Sequence, residues 1–342
     1  MGAGVPISSV QTSNGGFYVV GGRQRNPGFR RPEWKLYDQA AILHVDPVAG
    51  TVRQVAQHVS PPEACAWEEE PSILFKASTR VGDRLYACTS TEVLVYSLPC
   101  FARLHYVSHP YFHDLHHVTV NENGDLVVVD TGLDMVLVLS ISGELLAEYN
   151  VCNEPTWNRF SKDVDYRRVL TTRPHKSHPN YAFFIEENLW VTRFEEKDAI
   201  CLTRPDQPIK LGAYHPHDGI VRDGKIYFTT VDGHIMVFDA QTKDLECCVD
   251  LNAISKRDKP LGWCRSVEVL EPGVVVTGFT KLRRTKFHER LIWVKERFKS
   301  ELFLSEPTRI AAYDLKQKEL LWETQLDCGP SGLNTIFAIH KA

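Results

Sequence analysis

Residues 113–145 read HDLHHVTVNENGDLVVVDTGLDMVLVLSISGEL. Three short runs, 117–120, 126–130 and 136–139, are rich in Val and Leu and bounded by Gly, Asn, Asp or Ser, the pattern of β-strands. A fourth run, 145–151, follows the turn Ser142-Gly143. Between the first two lies Asn121-Glu122-Asn123-Gly124-Asp125, whose Asn-Gly pair accepts the positive φ of a tight hairpin. Four consecutive antiparallel strands joined by tight turns make one blade of a β-propeller.

The pattern recurs along the chain. Blades fall at residues 15–58, 72–108, 113–151, 178–213, 217–251 and 264–326, and one strand-like run, 334–339, is left over. The first unit has three clear strands, so the leftover run serves as its innermost strand. That arrangement closes the ring and removes both exposed edges. The expected fold is all-β: a six-bladed β-propeller, one domain over residues 1–342, closed by the C-terminal strand.

Composition narrows the function. A 43% apolar and 24% charged chain is ordinary for a globular protein with a packed core. A net charge of −4 gives no footprint for nucleic acid or for an anionic membrane surface. No apolar run approaches the ~20 residues that span a bilayer, and the start MGAGVPISSVQTS lacks a signal-peptide pattern. Nine cysteines without paired metal-finger spacing read as reduced thiols in a cytoplasmic protein. The expected partner is a small-molecule substrate.

Turns within blades are short on one face of the disc. The long segments, residues 23–37, 60–72, 152–179, 252–264 and 281–308, all fall on the other. Long loops gathered at one end of a rigid scaffold carry function. Residues 287–298 have helix-compatible composition, with Leu291, Val294 and Phe298 at helical spacing in a basic surround. This insertion reads as a lid, a homodimer contact or a decorated loop.

The looped face is also where every inner strand begins. Seven of the 14 histidines stand at those starts: His113, His116 and His117, then His175 and His178, then His215 and His217. Asn180, Asp218, Cys264, Arg265 and Asn334 share the same level. Inner strands converge on the propeller axis, so imidazoles from three blades reach towards one point. Neutral imidazole suits Zn, Fe, Cu or Ni. The expected ligands are His116, His178 and His217 around one divalent transition metal per chain, zinc or iron. Asp218, Arg265, His117 and His215 are the candidate catalytic groups, with Asn180 supporting. The same set without a metal suits an anionic substrate or acid–base work. Gly-x-Ser-x-Gly, His-Glu-x-x-His and Gly-rich phosphate loops are absent from the sequence.

The run Leu126-Val127-Val128-Val129-Asp130-Thr131-Gly132, followed by Val136 to Leu139 and Ser142-Gly143, resembles an NHL-type repeat. It is similar also to six-bladed enzymes of the gluconolactonase and strictosidine synthase kind. That resemblance implies a propeller with an axial divalent cation held by Glu, Asn and Asp; here the corresponding positions are mostly His. Carotenoid-cleaving oxygenases, with seven blades and longer chains, resemble this chain in placing axial histidines, which there surround iron. The leading expectation is a metal-assisted hydrolase, lyase or isomerase acting on a small molecule at the channel mouth. A His-ligated iron oxygenase and a non-catalytic propeller binding a protein or ligand through the same face are the alternatives.

Overall fold

The computed structural model describes residues 15–25, 31–204, 206–282, 306–329 and 332–342. Six four-stranded antiparallel sheets follow one another round a ring. Blade one joins distant segments: Thr335–Lys341 pairs with Phe17–Gln24, which pairs with Tyr37–Asp46, which pairs with Thr51–His58. The C-terminal strand therefore closes the ring, as the leftover run in the sequence required. Gly21 is what admits it, since a Cβ there would overlap the Thr335 carbonyl oxygen. The ladder slips by one residue at that point, between Val20 and Gly21.

The other inner strands are Ser78–Val81, Leu115–Val120, Pro179–Ile185, Ile220–Arg222 and Trp263–Glu271, for blades two to six. From the apolar run at residues 74–78 the sequence places the inner strand of blade two there, four residues ahead of its observed start at Ser78. The reason lies in the backbone partners of residues 75–77. Phe75 N–H donates to Gly21 O, Lys76 N–H to Cys88 O and Ala77 N–H to His116 O. This short stretch stitches blades one, two and three together before its own ladder begins, and it leaves Lys76 at the channel mouth.

Alternation supplies the packing. Val127 and Val129 point into the interface of blades three and four, while Leu126 and Val128 point into that of blades two and three. Six apolar clusters result, one for each blade interface. Each fully buried Val, Leu or Phe contributes roughly 1.5–3 kcal/mol. A seventh, smaller cluster of Leu36, Tyr37, Leu74 and Phe337 lies beside the channel. The expected helical segment, lid or dimer contact at residues 281–308 lies almost wholly outside the described residues.

Candidate active site at the channel mouth

Each blade contributes one side chain to a layer at or just ahead of the start of its inner strand: Lys76, His116, His178, His217, Arg265 and Phe337. Phe337, 1% exposed on the closing strand, occupies the middle of that layer. The Lys76 Nζ lies 5.1 Å from its ring centroid and the Arg265 guanidinium carbon 4.2 Å. The His116 and His217 rings are 6.3 and 5.8 Å away. Cations held against the ring face gain electrostatically from its quadrupole. The phenyl ring thus sets two positive groups and two imidazoles round one spot.

His116 is 4.9 Å from His178 and 6.5 Å from His217, measured between ring centroids. Each of the three has its Nδ1 engaged: His116 with the Asp114 carbonyl at 2.9 Å, His178 with His175 Nδ1 at 2.9 Å, His217 with Asp218 Oδ1 at 3.0 Å. Their Nε2 atoms have no hydrogen-bond partner among the described residues. Burial holds all three below the ordinary imidazole range, with Lys76 adding to the effect on His116 and neighbouring His116 to that on His178. For His217, Asp218 partly offsets burial. The rings are therefore neutral at pH 7.

Asp218 is completely buried and anionic. Burial pushes its carboxyl up, but His217, Thr229 and the Ser266 N–H outweigh that and hold it below the usual range. The Thr229 hydroxyl donates to Oδ2 at 2.6 Å, and the Ser266 N–H donates to the same oxygen. Ser266 reaches it through a left-handed backbone at φ 65°, in the bulge between Arg265 and Val267. A non-glycine residue held there stores local strain, a frequent companion of functional sites. Asp114 at φ 47° and His178 at φ 56° share the property.

Two carboxylates that the sequence reading passed over position this layer. Asp134, buried, accepts the backbone N–H groups of Lys176, Ser177 and His178 at 2.8–3.0 Å and so fixes where the fourth-blade strand enters. Asp114 pairs with Lys76 at 3.0 Å and Arg173 at 3.6 Å. Burial opposes its ionisation, but Lys76, His116 and Arg173 hold it well below the carboxylate range. Beside it opens a cavity of about 50 Å³ whose lining includes Trp34, Lys76, Asp114 and Arg173. Asp114 sits inside the His-rich motif and had that signal; Lys76 and Asp134 had none of their own.

The remaining candidates separate. His215 stacks on Phe194 at 4.4 Å and bonds the Phe194 carbonyl at 3.0 Å, and Phe194 in turn lies against His178. His113 binds the Tyr166 carbonyl at 3.1 Å, against a Gly132 where any Cβ would collide with it. Asn180 ties blade four to the Pro216 carbonyl, Cys264 bonds Thr277, and Asn334 accepts the Gln24 N–H. His117 points away from the layer, towards the other end of the channel. It stacks on Tyr181 at 3.6 Å and bonds Thr79 at 2.9 Å.

A three-histidine metal set can be tested on these distances. Two imidazoles on one tetrahedral zinc, with N–Zn of about 2.0–2.1 Å, have centroids ~5 Å apart. The His116–His178 separation meets that value and the His116–His217 separation exceeds it. Among the described residues no three His, Cys, Asp or Glu side chains form a closed ligand set.

No family model matches the chain. No curated protein matches it either. Among solved structures, a protein of unknown function from Bacteroides caccae is similar, with a TM-score of 0.59 at 12% identity over 95% of this chain and 98% of that one. The virginiamycin B lyase from Staphylococcus aureus scores 0.49 at 10% identity over 93% and 87% of the two chains. Its catalytically inactive variant with quinupristin scores 0.45 at 10% identity over 70% and 73%. At such identities the Bacteroides likeness establishes a common propeller fold, and the chain is a six-bladed β-propeller.

Proposed function

We propose that the protein is an enzyme that moves a proton on a small anionic molecule at the channel mouth, in a lyase, isomerase or hydrolase reaction. The observation that carries this reading is the buried His217–Asp218 pair. A carboxylate fixed by Thr229 and Ser266 accepts the Nδ1–H of His217, which leaves the Nε2 lone pair unprotonated and open to a substrate proton. Lys76 and Arg265, both held against the Phe337 ring, supply positive charge for a carboxylate or phosphate oxygen, and for negative charge developing as the proton leaves. The burial that keeps His217 neutral is what makes it a base at pH 7.

A metal-assisted form of the same chemistry is the second reading. It is favoured by the three Nδ1-anchored imidazoles, an orientation that supporting partners impose on metal-bound histidines. His116, His178 and His217 would hold the ion, with the His217 ring brought nearer to His116 than the 6.5 Å seen here. A zinc or iron ion there would supply Lewis acidity. Both forms are tested on untagged protein. Metal content is measured directly, and small carboxylic acids are incubated in D2O while deuterium entry beside the carboxylate is followed by NMR. Exchange that disappears in His217→Ala supports the proposal. Exchange that survives this substitution refutes the base assignment. One equivalent of metal, lost in His116→Ala, selects the second reading.

A further inference from the structure

The channel has a second end. A cavity of about 540 Å³ opens there, within the size range of small-ligand sites. Its residues lie further along the inner strands than the histidine layer: Thr79 follows Lys76 by three positions, Thr119 follows His116, Glu268 follows Arg265 and His340 follows Phe337, each again by three. At about 3.3 Å per residue this places the cavity ~10 Å from the layer, along the axis. Nothing in the proposed proton transfer uses it.

Its chemistry is one-sided. Arg80, Arg222 and Lys341 come from three different blades and stand exposed at the rim. Arg80 is held by the Gly82 and Lys341 carbonyls, which fixes its position without neutralising it. Arg222 and Lys341 have no salt bridge among the described residues. The one carboxyl in the cavity, Glu268, is likewise without an ion pair at 4 Å or less. Deeper in, His340 is bonded to Ser78 and His117 to Thr79, and both rings are neutral, held down to about 3 by burial. Phe183, Phe184 and Val221 give the wall an apolar side.

We infer that this cavity binds a small organic anion, a carboxylate or phosphate head on an apolar body, with the head between Arg222 and Lys341 and the body against Phe183. The site is independent of the proton-transfer reading. Glu268 lends the head a hydrogen bond when protonated, because burial pushes it up to about 7 against the pull of Arg222, Arg80 and Lys341. The groups round it are Arg80 from blade two, His117 from three, Tyr181 from four, Arg222 from five, and His340 and Lys341 from one. Glu268 gains its negative charge as the pH rises through about 7, so an anion binds more tightly at pH 6 than at pH 8.

The test is titration calorimetry of the full chain with benzoate, phenyl phosphate and benzylamine at pH 6 and pH 8. One benzoate or phenyl phosphate per chain is expected, with the comparison of the two identifying the preferred head, and no heat from benzylamine. Arg222→Gln or Lys341→Gln, both on the surface, weakens the anion about tenfold or more, the size of a lost charge-assisted bond. Glu268→Gln keeps binding and abolishes the difference between the two pH values for benzoate, whose own charge is the same at both. His217→Ala leaves the affinity unchanged. Benzylamine binding as tightly as benzoate, or rim substitutions without effect, overturns the inference. Loss of the anion in His217→Ala also overturns it, by locating the probe at the opposite mouth.

Discussion

Replacing Asp218 with Asn removes a charge and, through the hydrogen bonds it must rearrange, also moves a proton on His217. In the native protein Oδ2 accepts from the Thr229 hydroxyl and the Ser266 N–H, while Oδ1 accepts from His217 Nδ1. An Asn must keep its single oxygen on the Thr229 and Ser266 side, where two donors meet it. Its amide N–H2 then faces His217 Nδ1 and can only donate. His217 is driven to the tautomer with its proton on Nε2, the atom that the proposed proton transfer needs free. Three bonds to an anion become bonds to a neutral amide, a loss of about 1–3 kcal/mol of stability after the relief of burying a charge. Catalysis by proton transfer should fall by about 10²–10⁴-fold. The assay needs no substrate: ¹⁵N-labelled histidine spectra report which ring nitrogen carries the proton. His217 stays neutral in both proteins at pH 7, because losing the Asp218 charge lowers it further. An Asp218→Asn variant that retains the Nδ1–H tautomer would falsify the account of how this base is prepared.

Other outcomes follow from the same structure. Deleting residues 332–342 exposes the inner edge of Phe17–Gln24 and opens the ring, so circular dichroism should show one cooperative loss of all six blades; a truncation that melts like the full chain contradicts the closure argument. Phe337→Ala removes a fully buried ring and should cost about 3–5 kcal/mol in urea unfolding, while a cost under about 1 kcal/mol would mean the layer does not rest on it. His113, His117 and His340 are held down to about 4, 3 and 3 by burial, so the unfolded chain binds more protons below pH 6.5. Stability should therefore be complete above that pH and fall towards pH 4 by about 1.4 kcal/mol per pH unit for each such histidine, and urea midpoints that do not move between pH 7.5 and 5 would refute it. Glu92, buried among His58, Ser60, Thr89 and Tyr106, adds a second acid-sensitive step. Burial opposes its charge but His58 and the hydroxyls hold it below the carboxylate range, so its contribution is lost as pH drops through and below about 4.5. Glu92→Gln should flatten that lower limb.

Blade architecture was legible because it is written in alternation and in turn residues. The Asn123-Gly124 hairpin and the Val-rich strands of blade three are local features, and local features survive in a linear reading. The leftover strand at 334–339 was legible for a topological reason, since a ring with a three-stranded blade has an edge to fill. The site was half legible. His116, His178 and His217 share a level because each lies at or just ahead of the start of an inner strand. Whether a given histidine faces the layer depends on events of one residue. The bulge between Leu115 and His117 and the left-handed Asp114 send His113, His116 and His117 to three different places. Lys76 was hidden because its strand starts later than the apolar run suggests, its own backbone being committed to neighbouring blades. Phe337 carries no chemistry that a motif search would seek, yet two cations and two imidazoles are arranged round it.

Every blade gives one side chain to that arrangement: Lys76 from the second, His116 from the third, His178 from the fourth, His217 from the fifth, Arg265 from the sixth and Phe337 from the first. A molecule seated there would act as a rivet through all six sheets, and no blade could leave the ring without releasing it. Its full binding free energy would then appear as resistance of the whole protein to heat. A compound at one hundred times its dissociation constant adds about 2.7 kcal/mol to a protein that it binds only when folded. A ligand of this layer can thus be sought by melting alone, with libraries of small acids. His217→Ala and Phe337→Ala serve as the controls in which the gain in melting temperature should shrink.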